Sequence, residues 1–541
     1  MAKTDAFLDQ PQAVFLLLDD NQAPEFATRT GDTWGARAVA VQVKRAGPDS
    51  APALAITVHC PQGGIARVGL RWNFAPPPAA VILGDHWERG YGDLQWRPIQ
   101  PERVMPWYFA IHTPADSATL AVGVQTAAAA ICSWMVDAKG VTLWLDLHNG
   151  GTPCIPGDRQ IAAATIVALD SAAGEGPQDA IRRLCTKMCD KPRLAPAPVC
   201  GSNNWYYAYG RNFDSAQVLR DGALLAELAK GHANKPFCVV DAGWSPGGVC
   251  PGGPWTAGIP GKFPDMPRLA EEIKKLGVRP GIWIRPTALT TVNNRNRLRA
   301  GPQPAQEKAL DLTLPENIQG IKDDVARMHF WGYELIKHDF STYDATARWG
   351  FEMNTEMTTP GWHYNDRSLT NAEIIFNAYK AIREGAGDSL LLGCNTIGHL
   401  GAGLFELQRA GDDTSGQLWE RTRKMGVNTL AYRLPQNKTF FGVDADCCAH
   451  TEKTPWEKDK QFLDLVARSG TALFVSTDPT KITPEVKTAM TEAMQIALSG
   501  GTRDFEPVDW IWNTGPTKWR IDGKEKTYDW TEAAGTWPLK S

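Results

Sequence analysis

Lys191-Pro-Arg-Leu-Ala-Pro-Ala-Pro198 is the segment on which the fold turns. Its three prolines fix φ and withhold backbone donors, so residues 191–198 read as an extended linker. Upstream, over residues 1–190, short runs alternate apolar and polar with a period of two: Ala13–Leu18, Ala38–Val43, Leu54–Val58, Ala66–Trp72 and Val141–Leu147. Turn clusters such as Pro61-Gln-Gly-Gly64 and His148-Asn-Gly-Gly151 separate them, the pattern of an antiparallel β-sandwich. A helix over Gln178–Cys189, with Ile181, Leu184 and Met188 on one face, closes that half.

Downstream, strand-like apolar runs alternate with amphipathic helical stretches, which is the order of parallel βα units. The runs are Val199–Tyr206, Pro236–Gly243, Val278–Arg285, Tyr333–Phe340, Ser389–Asn395, Phe405–Asp412, Val427–Tyr432 and Ala472–Ser476. Eight of them predict a (β/α)8 TIM barrel over residues 199–482. The fifth and sixth end about 18 residues apart, which leaves little room for a full crossover helix. No GxGxxG follows a first strand and no GxxxxGK[ST] occurs, so open-sheet nucleotide folds lose their main support. Residues 483–541 predict a helix, Glu485–Leu498, and a short Trp-rich β tail, Phe505–Trp537.

Composition excludes several classes. With 43% hydrophobic and 21% charged residues the 541-residue chain is globular. The net charge of −4 gives no electrostatic case for nucleic acid or an anionic membrane. Apolar runs such as Ala127–Cys132 fall far short of the roughly 18 residues of a spanning helix, so no membrane insertion is expected. Met1-Ala-Lys-Thr-Asp-Ala-Phe-Leu-Asp9 lacks the apolar centre of a secretory signal. As it stands the sequence reads as cytoplasmic, or as periplasmic or secreted if a leader was removed. The eleven cysteines form no zinc-ribbon pattern; Cys185, Cys189, Cys447 and Cys448 read as buried thiols.

In a barrel, chemistry sits at the C-terminal ends of the strands. The fourth run ends Leu335-Ile-Lys337-His-Asp339-Phe, and alternation turns Lys337 and Asp339 into the mouth, away from His338. An ammonium keeps the neighbouring carboxylate ionised, fit for nucleophilic attack, or the two form a plain ion pair. The sixth ends Leu407-Gln-Arg409-Ala-Gly-Asp412-Asp413-Thr, with Arg409, Gly411 and Asp413 on one face and Asp412 on the other. Asp339 and Asp413 would form the carboxylate pair that glycoside cleavage needs, unless the Asp-Asp-Thr-Ser run merely caps a helix. A retaining pair sits about 5–5.5 Å apart, and the acid of the pair has a raised pKa. Other strand ends supply Asn203-Asn204-Trp205, Asp241-Ala-Gly-Trp244, Trp283-Ile-Arg285 and Gly393-Cys394-Asn395, amides and carboxylates beside indole faces, as a sugar ring demands. Asp444-Ala-Asp446, beyond the seventh run, has only His450 as a further metal ligand, too few to predict a metal site. Gly84-Asp-His-Trp-Glu-Arg-Gly-Tyr-Gly92 reads as a sandwich loop, with reach over the barrel mouth as the alternative.

Taken in order, these segments resemble the retaining α-galactosidases of glycoside hydrolase clan D, families 36 and 27. Asp241-Ala-Gly-Trp244 resembles the Asp-Asp-Gly-Trp sugar-binding turn, and Gly277-Val-Arg-Pro-Gly-Ile-Trp283 the third strand. Leu310-Asp-Leu-Thr-Leu-Pro-Glu316 resembles the segment before the catalytic strand, and Lys337-His-Asp339 the Lys-x-Asp nucleophile motif. Arg409-Ala-Gly-Asp-Asp413 resembles the Arg-x-x-x-Asp acid/base motif, Gly393-Cys394 the Gly-Cys strand, and Ala472–Asp478 the closing strand. The resemblance implies Asp339 as nucleophile and Asp413 as acid/base. Asp241, Trp244, Lys337, Arg409, Cys394, Trp205 and Arg285 would contact an oligosaccharide or glycoside. Nothing in this chemistry requires a metal or organic cofactor; self-association into a homo-oligomer stays open. The pattern departs at Ala242, which replaces the turn's second carboxylate and so bears on which sugar is accepted. Transglycosylation of the raffinose-synthase kind uses the same two aspartates, and a glycan-binding protein without turnover would keep them too.

Overall fold

The computed structural model describes residues 3–48 and 50–537. Met1, Ala2 and residues 538–541, at the outer limits of the first and last predicted ranges, lie outside the described residues, as does Asp49.

The N-terminal half is an antiparallel β-sandwich of a six-stranded and an eight-stranded sheet. Alternation builds it: in Ala13–Leu17 every second residue, Val14 and Leu16, is buried, and Arg67–Trp72 beside it turns Val68, Leu70 and Trp72 inward. Gly157–Asp170, the longest strand, crosses the eight-stranded sheet and absorbs two register shifts. The helix Pro177–Met188 buries Ile181, Leu184 and Met188 as its spacing predicts.

Eight parallel strands then close a barrel: β1 (Cys200–Asn203), β2 (Phe237–Val240), β3 (Arg279–Ile284), β4 (Leu335–His338), β5 (Leu390–Gly393), β6 (Leu407–Arg409), β7 (Gly442–Ala449) and β8 (Ala472–Ser476). A single helical turn, Gly398–Gly401, links β5 to β6, as the short spacing requires. Helix Pro484–Leu498 and a three-stranded sheet, beginning at Phe505–Pro507, complete the described chain.

Two predicted strands need correction. Val427–Tyr432 is not the seventh strand; it lies in a helical stretch that runs through a π-turn, Arg423–Asn428, into Thr429–Arg433. Val427, Leu430, Ala431 and Tyr432 are all buried because this stretch is enclosed on every side. Asn428 bonds Leu94 of the sandwich and Thr514 of the tail, and Tyr432 bonds the carbonyl of Trp510. An all-round apolar helix and a buried strand give the same short run of letters. The strand is Gly442–Ala449, so Asp444 and Asp446 lie within it. The first run also ends early: β1 stops at Asn203 and Trp205 opens a helical turn.

Sandwich and barrel interlock through the long segment after β4. Asn149 Nδ2 donates to the carbonyls of Asp366 and Leu369, each at 2.8 Å, and Arg159 pairs with Glu373 at 2.6 Å. All eleven cysteines are free, and all but Cys250 are buried. Among the described residues no helix is long and apolar enough to cross a membrane.

Candidate active site

β4 delivers Lys337 and Asp339 to the C-terminal rim. The carboxylate of Asp339 is held on three sides: Oδ1 accepts the N–H of Phe340 at 2.7 Å and of Asn395 at 3.1 Å, and Oδ2 accepts the indole N–H of Trp283 at 3.1 Å. Phe340 adopts a left-handed φ of 61°, a strained conformation outside glycine that turns the chain sharply at the strand end. Lys337 is buried and donates to Asp241 Oδ2 at 2.7 Å. Burial alone would lower its pKa; Asp241, Cys394 and Asp339 together outweigh burial and hold the ammonium charged. Asp241 also accepts from Asn203 and from the N–H of Ala242, so most of its acceptor capacity is taken. His338 points away from the mouth and packs between Tyr379 and Phe405, and burial lowers its pKa to about 3.

β6 delivers Arg409, which is fully buried. Its guanidinium reaches Asp446 Oδ2 at 2.7 Å and Asp413 Oδ1 at 3.2 Å, and it donates to the Cys394 sulfur at 3.4 Å. The strand ends here, so alternation stops assigning faces, and Asp412 lines the same cavity as Asp413. The two carboxylates are nonetheless unlike. Asp412 is clamped between Arg89 at 3.0 Å and Arg421 at 2.6 Å, with its side chain 13% exposed; Asp413 keeps 37%. Neither caps the following helix, which begins at Trp419 with Leu418 at its cap position and no side-chain cap.

The expectation of a raised pKa at Asp413 is overturned. Burial pushes it up, but Arg409, Arg89, Lys337 and Arg421 outweigh burial and bring it to about 2. Four cations converge, of which the sequence places Arg409 and Lys337 at the mouth but neither Arg89 nor Arg421.

The cavity that these groups share has a volume of about 250 Å³. Asp339, Asp413, Asp412, Asp241 and Lys337 form its polar floor; Trp205, Trp283, Phe340, Trp349, Phe351 and Tyr91 form aromatic walls. Ala242 and Cys250 give one wall a patch without charge, and Arg89 faces the carboxylates. Arg89 and Tyr91 come from the sandwich segment Gly84–Gly92, which does reach over the barrel mouth.

Four residues predicted to touch a sugar stand behind the cavity instead. Trp244 is fully buried and donates its indole N–H to the carbonyl of Trp283 at 2.8 Å. Arg285 is buried in ion pairs with Asp344 at 2.6 Å and Glu307 at 3.0 Å, fixing the segment after β4. Cys394 and Arg409 are buried together beneath Asp413. In each case a strand-end position was right and the depth was not, because packing decides whether a side chain there reaches the cavity or buttresses a neighbour. Tyr91, Arg89, Trp349 and Phe351 were missed as lining residues. The only signal for the first two was the density of polar and aromatic groups in Gly84–Gly92; the others sit in a long loop without a motif. Asp446 is committed to Arg409, Tyr206 and Thr414, and His450 pairs with Asp459 at 2.8 Å, so these residues do not converge on a shared point.

The sandwich, barrel and tail together are an architecture found in α-galactosidases of glycoside hydrolase family 36. TtGalA, the α-galactosidase of Thermus thermophilus solved with p-nitrophenyl α-D-galactopyranoside, matches over 90% of this chain and 99% of its own at 16% identity and a TM-score of 0.59. The family 36 α-galactosidase AgaA of Geobacillus stearothermophilus matches over 90% and 75% at 13% identity and a TM-score of 0.58. The galactosidase domain of the α-galactosidase–sucrose kinase AgaSK matches over 86% and 67% at 11% identity and a TM-score of 0.55. No family model matches the chain, and no curated protein does. At these identities the likeness establishes the fold.

Proposed function

We propose that the protein is a glycoside hydrolase that cleaves terminal α-linked sugars with retention, as an α-galactosidase does. One observation carries the reading: Asp339 and Asp413, from β4 and from just beyond β6, open onto a single sugar-sized cavity walled by aromatic rings. An Asp339 oxygen attacks the anomeric carbon as the bond to the leaving oxygen breaks, and Asp413 gives its proton to that oxygen. Water then attacks the same carbon, Asp413 takes its proton, and the bond to Asp339 breaks. The N–H groups of Phe340, Asn395 and Trp283 aim the attacking carboxylate. Lys337 and Asp241 present one ion-paired wall to the sugar hydroxyls.

Asp413 must be protonated for the first step, and the surrounding cations hold it ionised near neutrality. The protonated fraction falls as pH rises, so kcat/KM is expected to be highest on the acid side of neutral and to decline through pH 7.

The deciding experiment is a panel of chromogenic α- and β-pyranosides of galactose, glucose, N-acetylgalactosamine and arabinose. The reading requires turnover of an α-linked member with release of the α-anomer, and a loss of about 10⁴-fold or more in Asp339→Asn. Turnover that survives Asp339→Asn would sink it. The sugar preferred reports on Ala242, and added acceptor sugar separates hydrolysis from transfer.

A further inference from the structure

The sandwich does more than cover the barrel. Three consecutive residues of its loop are tied to three separate parts of the catalytic half. Glu88, fully buried, accepts from the N–H of Gly350 at 2.9 Å, from Asn395 Nδ2 and from the Tyr91 hydroxyl. Gly90 pairs with the chain beyond β6: its N–H donates to the Ala410 carbonyl, and its own carbonyl accepts from Asp412 N–H, both at 2.8 Å. The approach is close enough that a Cβ on Gly90 would lie 2.8 Å from Thr429 Cγ2. Between these anchors Arg89 lines the cavity. Its Nη2 lies 3.0 Å from Asp412 Oδ1 and its Nη1 3.7 Å from Asp413 Oδ1, and its buried Nε makes no hydrogen bond and lies 4.0 Å from Glu88 Oε1.

We propose that Arg89 is a positioning residue for Asp413, so that the acid/base carboxylate of the barrel is aimed and electrostatically controlled by the sandwich domain. The inference rests on the glycosidase reading above. Asp413 is faced by Arg409 from β6, by Lys337 from β4, by Arg421 from the following helix, by Tyr206 and Tyr209 from after β1, and by Asp446 from β7. Asp339, Asp412 and Cys250 share its cavity. Arg409 is divided between Asp413 and Asp446, Lys337 is bound to Asp241, and Arg421 pairs with Asp412 while donating to the Asp413 carbonyl. Arg89 is the cation that reaches Asp413 from the sandwich, and its removal changes Asp413 without dismantling a barrel strand. Tyr91, Trp349, Glu88 and Cys394 are its other neighbours.

The test uses the full chain with Arg89→Gln and Arg89→Lys. Losing the cation raises the pKa of Asp413, so the alkaline limb of kcat/KM should move up by about one pH unit in Arg89→Gln. Arg89→Lys, which keeps the charge, should restore most of the limb. A limb within about 0.2 pH unit of the parent in Arg89→Gln, whatever happens to the rate, overturns the proposal, since a purely structural role would lower the rate and leave the limb in place. If Arg89→Gln does not fold, Arg89→Gln/Asp412→Asn is compared with Asp412→Asn alone, and the same shift is required. A second readout needs no turnover. A carboxylate with a lowered pKa stabilises the fold above the ordinary value of 3.8, and that stability is lost as pH falls toward about 2. The melting difference between Asp413 and Asp413→Asn proteins should therefore grow from pH 3 to pH 6, and grow less when Arg89 is glutamine. If the parent hydrolyses no glycoside, the functional reading fails, and this melting comparison still decides whether Arg89 governs Asp413.

Discussion

Asp339 and Asp413 carry the same functional group in different surroundings. Asp339 is held by N–H donors, whereas Asp413 stands among guanidinium groups, so one is fixed in direction and the other in charge. On the proposed function Asp413 is the acid, and its removal matters most when the leaving group needs a proton. Asp413→Asn should lose about 10²–10⁴-fold on an unactivated disaccharide and much less on a nitrophenyl glycoside, as initial rates on the two substrates will show. Trp244 supplies the contrasting case. It buttresses Trp283 from behind, so Trp244→Phe should cost about 1–3 kcal/mol through the carbonyl left unpaired, with KM little changed. Thermal melting and steady-state kinetics on one preparation distinguish this from a sugar-contacting role.

At the scale of elements, the rim is assembled by backbones that approach closely. A Cβ on Gly411 would lie 2.3 Å from the carbonyl of Met425, backbone that cannot move aside. Gly411→Ala should push the chain carrying Asp412 and Asp413 off the helix behind it, lowering the melting temperature and kcat together. Most barrel strands were legible, because parallel strands buried on both faces read as short apolar runs between amphipathic helices. The seventh was not. Gly442-Val-Asp-Ala-Asp-Cys-Cys-Ala449 carries two aspartates, tolerated inside the barrel because Arg409 pairs with Asp446 at 2.7 Å and Asp444 accepts the N–H of Asp446 with Arg409 4.0 Å away, whereas Val427–Tyr432 looks like a strand and is an enclosed helix. Charge compensation by a residue on another strand leaves no trace in local sequence.

Over the whole molecule, the seam between sandwich and barrel holds a partly buried ionic cluster. His148 bonds Asp146 at 2.9 Å and Asp20 at 2.8 Å, Arg67 approaches both carboxylates at 3.3 Å, and Arg67 also donates to the Thr355 carbonyl. Burial disfavours the imidazolium, but the two carboxylates outweigh it and raise His148 to about 10. Asp146, which burial would raise, is brought down to about 2 by His148 and Arg67. A raised His pKa gives stability that is complete below the ordinary 6.5 and lost as pH climbs toward 10. A lowered Asp pKa gives stability that is complete above 3.8 and lost as pH falls toward 2. The contribution of this cluster, read as the melting difference between the parent and His148→Ala, should therefore be flat and maximal between about pH 4 and 6.5 and shrink on either side. Because the seam is so heavily bonded, calorimetry should show sandwich and barrel unfolding in one transition.

The amino-acid sequence by itself determined the two-part architecture and pointed to the two strand-end carboxylates proposed for chemistry, since periodicity and strand-end position are local properties that survive in a linear string. The tertiary structure decided everything that depends on a partner distant along the chain. It placed Arg89 beside Asp412 and Asp413, set the charge of Asp413 through four converging cations, and moved Trp244, Arg285, Cys394 and Arg409 one layer behind the cavity they support. The reason is physical: a carboxylate's charge and a side chain's depth are fixed by what packs against them in space, and that is settled only when the chain closes on itself.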